Sequence, residues 1–90
     1  MLVTLDEIKN YLRVDYTDDD QLLITLLETA HSLCMDVLRA EKEEELLISK
    51  TAKAAVLYAT AYLYEHREEA DHNALLLTLR AMLTDRKAAF

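Results

Sequence analysis

Neither glycine nor proline occurs among the 90 residues. Glycine is the usual source of left-handed backbone at turns and helix ends, and proline is the usual helix breaker. Their absence argues against a β-rich fold and for helices joined by short links. A single cysteine, Cys34, excludes an internal disulfide and points to a reducing compartment. Positive charge is also scarce: 10 Lys and Arg against 17 Asp and Glu give a net charge of -7. That balance argues against a protein that grips nucleic-acid phosphates. The opening MLVTLDEIKNYL has no basic region before a long apolar run, so it does not read as a signal peptide. No internal repeat or low-complexity segment interrupts the chain, and residues 1–90 read as a single domain.

Apolar side chains, by contrast, are abundant, at 52% of the chain. A domain this short buries only about 60–65% of the surface of its unfolded chain. The excess suggests a surface that meets a partner. The densest stretch is AKAAVLYATAYLYEHR, residues 52–67, in which only Thr60 is polar between Ala54 and Tyr64. No face of a helix drawn through it is polar, so the helix must be covered on most sides. Ala52, Ala55 and Ala59 recur at helical spacing and permit close approach. The run falls short of the ~20 apolar residues that span a bilayer, which gives no reason to invoke a membrane.

In chain order, Thr4-Leu5-Asp6-Glu7 forms a capping box with Val3 and Ile8 placed as a hydrophobic staple. Leu5, Ile8 and Leu12 mark one face of a short helix. Arg13 to Tyr16 reads as a link in which Val14 and Tyr16 can turn inward. Thr17 or Asp18 then caps a second helix, and Asp19 and Asp20 suit the positive end of its dipole. Its apolar positions are Leu22, Leu23, Leu26, Leu27, Ala30, Leu33, Cys34, Val37 and Leu38. A break falls between Ala40 and Glu44, and Leu46, Leu47 and Ile48 lead into the third helix. Asp71 or Asn73 caps a fourth helix carrying Leu75, Leu76, Leu79, Met82 and Leu83, and the tail from Thr84 frays. The expectation is an all-α, compact bundle of about four helices, near residues 5–12, 18–39, 46–67 and 74–84, with the third central and buried. Leu26, Leu33, Val37, Ala55, Val56, Ala59 and Leu63 are the expected core.

Chemical signals are weak. Asp15, Asp18, Asp19 and Asp20 lack the glycine and terminal glutamate of an EF-hand loop, so helix capping explains them better. His66, Glu69 and His72 match no zinc spacing and read as a solvated loop. Cys34 lies in an apolar stripe, with His31 three residues earlier and no basic neighbour evident, and reads as a small core residue. Tyr58, Tyr62 and Tyr64 read as core and interface residues, since no basic groove accompanies them. Glu41, Glu43, Glu44 and Glu45 form a solvated face with Lys42. Arg67 can bond a helix-end carbonyl or pair with Asp15 or Asp85. No catalytic, cofactor-binding or metal-binding residue is assigned, no cofactor is implied, and the chain does not read as an enzyme.

The stretch VTLDEIKNYLRVDYTDDDQLL resembles the start of small helical phage head–tail connector proteins, also called neck or DNA-packaging proteins. The resemblance rests on Leu12-Arg13-Val14-Asp15 and Asp18-Asp19-Asp20, with Leu63-Tyr64-Glu65-His66-Arg67 further on and Met82-Leu83 with Arg86 near the end. It implies a structural protein of the virion neck, assembled in the host cytoplasm or encoded by a prophage in a bacterial cytoplasm. It further implies a homo-oligomeric ring below the portal protein, extending the DNA channel and receiving a downstream neck or tail-completion protein. A negative channel wall would let DNA pass without tight binding. The rival reading is a small acidic regulator, antitoxin-like or anti-repressor, that binds a basic protein. Its charge and helical content would be the same.

Overall fold

The computed structural model describes residues 2–39, 51–68 and 72–84. Within them lie four helices and no strand: α1, Leu5–Leu12; α2, Asp20–Leu38; α3, Ala52–Glu65; and α4, Asn73–Thr84. The expected break after Ala40, the residues Leu46 to Ile48 and the tail beyond Thr84 lie outside the described residues.

Helix α1 begins as its sequence dictates. The Thr4 hydroxyl accepts from the Glu7 backbone N–H at 3.2 Å, and the Glu7 carboxylate accepts from the Thr4 N–H at 3.0 Å. Val3 and Ile8 are both buried, completing the staple. The helix stops at Arg13, which takes the left-handed conformation at φ 60°. Val14 N–H then reaches Lys9 O at 2.9 Å, satisfying a carbonyl left over by the helix end. Arg39 ends α2 in the same way at φ 58°. In a chain without glycine, two arginines occupy the backbone geometry that glycine ordinarily supplies.

Helix α2 departs from expectation at its start and in its phase. It begins at Asp20 with Asp19 as the N-cap residue, and no side chain caps it. The Asp20 N–H bonds to Thr17 O, so Thr17 and Asp18 belong to a turn ahead of the helix. Its buried residues are Leu23, Leu27, Ala30 and Cys34. Leu26, Leu33 and Val37 are only half-buried, contrary to expectation, and flank that stripe. Nine apolar positions cover far more than one face, and periodicity alone does not say which line through them meets the core.

Helix α3 is the most thoroughly buried. Ala52, Ala55, Val56, Ala59, Thr60, Ala61 and Leu63 are all enclosed, and the Thr60 hydroxyl is satisfied by Val56 O at 2.7 Å. The centre is nevertheless shared rather than held by α3 alone. Helices α2 and α3 form the largest contact, and each also packs on α1 and on α4. Helix α4 buries Leu75, Leu79 and Leu83, half-buries Met82 and leaves Leu77 63% exposed. Its first residue is Asn73, with His72 O accepting from Leu76 N–H, so Asn73 lies inside the helix rather than capping it. Asp71, the other candidate cap, lies outside the described residues. One core joins residues of all four helices.

Candidate functional site

The acidic run at the start of α2 ties the fold together. Asp20 Oδ1 accepts from Lys9 Nζ at 2.6 Å, joining α1 to α2. Asp19 Oδ2 accepts from the Tyr64 hydroxyl at 2.5 Å, joining the end of α3 to the start of α2. The Tyr16 hydroxyl lies 3.4 Å from that of Tyr64. The bond to Asp19, followed by that to Tyr16, holds the Tyr64 phenol well above its ordinary titration range. Capping does not account for these carboxylates, because tertiary partners take them first. Asp15 and Asp18 are exposed. Tyr16, with 48% of its surface exposed, does not turn into the core.

At the other end of α1, Glu7 pairs with Lys53 at the start of α3. That contact, and then the Thr4 N–H, hold the Glu7 carboxyl below its usual range. Thr51 donates to Met82 O and so anchors α3 to the far end of α4. These polar ties set the positions of the helix ends, while the apolar stripes set how closely the helices approach.

The histidines do not sit in a solvated loop. His66 caps α3: its backbone N–H and its ring Nδ1 both meet Tyr62 O at 2.9 Å, which requires the proton on Nδ1. Its ring stacks on Tyr62 at 4.1 Å between centroids, and His72 meets the same ring edge-on at 6.2 Å. Both histidines are half-buried. Glu69 lies outside the described residues, and among those residues no three of His, Cys, Asp and Glu are placed to hold a metal ion.

Cys34 is fully buried, and burial pushes its thiol up to about 12, so it stays protonated at neutral pH. It is a core residue with no nucleophilic character. Arg67 lies over the Tyr64 ring at 4.9 Å from its centroid. Among the described residues it makes no ion pair with Asp15, and Asp85 lies outside them. The Glu41 to Glu45 run also lies outside them.

The surface is where this molecule has something to offer. A 420 Å³ groove between α1 and α3 is lined by Tyr11, Leu12, Arg13, Tyr58, Tyr62 and Glu65, among others. A second depression of 340 Å³ is lined by Leu22, Leu26, Leu63, His66, Arg67 and His72. Tyr11, Ile24 and Leu77 are large apolar or aromatic side chains left in water. Leu77 was legible in the sequence: Leu75 and Leu79 on the core side place it about 200° around the helix from Leu75. Helix α2 alone among the described helices has the length and hydropathy of a membrane span, a test that a core helix also passes.

These features are surface grooves and exposed apolar side chains. No curated protein and no solved structure matches the chain. Residues 2–79 match the family described as phage gp6-like head–tail connector proteins, a match that takes in α1, α2, α3 and most of α4. The chain belongs to that family, whose members are structural components of the phage virion neck that interact with other head and tail proteins.

Proposed function

We propose that this protein is one subunit of a head-to-tail ring that stacks below the portal, continues the DNA channel and receives the next neck or tail-completion protein. The family match over residues 2–79 carries the reading. The molecular surface supports it. Ile24 and Leu77 are exposed, and Leu22, Leu26, Leu33 and Val37 are half-buried, so apolar surface remains for neighbours to cover. A heterologous interface joins two different patches and closes only when the rotation per subunit fits. The net charge of -7 suits a channel through which DNA slides. The role is mechanical, and no catalytic step is assigned to it.

The test is to mix the protein with portal rings from its own phage and image the product. Density stacked coaxially on the portal is expected, with no duplex DNA retained by the protein alone at moderate salt. A protein that ignores the portal, or one that binds duplex DNA in the range of about 10⁻⁸ to 10⁻¹¹ M seen for specific DNA binders, would overturn the reading. A stable monomer or dimer holding a single basic partner would favour the acidic regulator instead.

A further inference from the structure

We infer that the outward stripe of α2 formed by Gln21, Thr25, Glu28, Ser32 and Asp36 faces the axis of the ring and forms the wall past which duplex DNA moves. The inference rests on the ring reading above and assigns its channel-lining surface. The five positions follow the spacing i, i+4, i+7, i+11, i+15, and all five side chains are exposed. They form one narrow strip on the side of the helix away from Leu23, Leu27, Ala30 and Cys34. From Gln21 to Asp36 the strip runs along roughly 22 Å of wall.

Two properties fit this stripe to a polyanion that must pass without sticking. The first is charge. Helix α2 contains no Lys or Arg, whereas α1 carries Lys9, α3 carries Lys53 and α4 carries Arg80. Glu28 and Asp36 give the stripe a repulsive potential, which a ring repeats around its axis. The second is its hydrogen-bonding state. Thr25 donates its hydroxyl proton to Gln21 O at 3.1 Å, and the adjacent Thr29 donates to Thr25 O at 3.1 Å. The Thr25 hydroxyl on the stripe and the Thr29 hydroxyl beside it therefore offer phosphates no spare donor in this geometry. That leaves the Gln21 amide and the Ser32 hydroxyl as the neutral donors of the stripe. The flanks explain why this strip would be left open. On one side lie Leu22, Leu26, Leu33 and Val37; on the other lie Ile24, His31, Met35 and Leu38. Neighbouring subunits packed along these two unlike, partly apolar flanks would cover them and leave the polar strip facing water.

The experiment uses the ring assembled on the portal. Ser32→Cys places an exposed thiol on the stripe, while native Cys34 is fully buried and does not compete for label. A gold cluster attached at residue 32 is expected inside the lumen in end-on averages; label on the outer rim would overturn the inference while leaving the ring intact. Absence of any ring, with or without label, would overturn the ring reading and this inference together. Independently, Glu28→Lys with Asp36→Lys is expected to make portal-bound rings retain linear duplex DNA at least about tenfold better at low salt, with the gain lost as salt rises. Asp15→Lys with Glu68→Lys changes the charge equally at exposed positions off the stripe and is expected to leave retention unchanged. Equal retention by the two pairs would overturn the inference.

Discussion

Helices α2 and α3 are both rich in apolar residues, yet the fold treats them differently. Helix α3 buries half of its 14 residues, and most of those are small. Alanine at 52, 55, 59 and 61 lets the other helices come close from several directions, so α3 exposes little of itself. Helix α2 buries only four of 19 residues, along one line. Its remaining leucines lie half-covered beside that line, and its far side is polar. Apolar content alone therefore does not separate a helix enclosed on most sides from one buried along a single line. Side-chain size does, because small residues bring neighbours in on every side, while a stripe of leucines fixes one contact and leaves its flanks partly exposed.

The strongest test of this contrast lies within α2. Leu27→Ala should cost about 2–5 kcal/mol of unfolding free energy, since a fully buried leucine leaves a cavity behind. Leu26→Ala, one position along, should cost clearly less in the same denaturant titration. Equal losses would place the two residues in the same environment and break the assigned phase. In α3 the damaging change runs the other way. Ala59→Leu should overpack the contact and cost about 1–3 kcal/mol; an unchanged unfolding midpoint would mean that the neighbouring helices do not approach at Ala59.

Smaller effects probe the polar ties. Tyr64→Phe removes the hydroxyl that bonds Asp19 and should cost about 0.5–1.5 kcal/mol. In an Asp19→Asn background, the loss on adding Tyr64→Phe should shrink; additive losses would show that the bond contributes nothing. Arg39→Gly should stabilise the protein by about 1 kcal/mol by relieving the left-handed backbone of a residue with a Cβ. The smallest effect expected is that of Glu7. Its carboxyl is depressed in the folded state, so its contribution is present above the unfolded value, taken as 4.5, and is lost as pH falls through the lower folded value. Glu7→Gln should flatten the acid limb of stability over that window and leave the shape at neutral pH and above unchanged.

By itself the sequence determined the helical class, four helices and much of their chemistry. Thr4 and Glu7 announced the start of α1, because a capping box is a contact between residues three apart. Ala55, Val56, Ala59 and Leu63 were legible as core because every face of that stretch is apolar. The connector family was legible too, in the order of short motifs along the chain. Tertiary structure alone decided which of the α2 leucines face inward, since an apolar arc that wide admits several core lines and the other helices select one. It also decided what Asp19 and Asp20 do: local reasoning assigned them to the helix end, but Tyr64 and Lys9 arrive from 45 and 11 residues away. Likewise, Arg13 and Arg39 carry no local signal for the left-handed conformation. They adopt it because the chain must leave each helix at that point, and packing elsewhere offsets the cost of about 1–2 kcal/mol per residue.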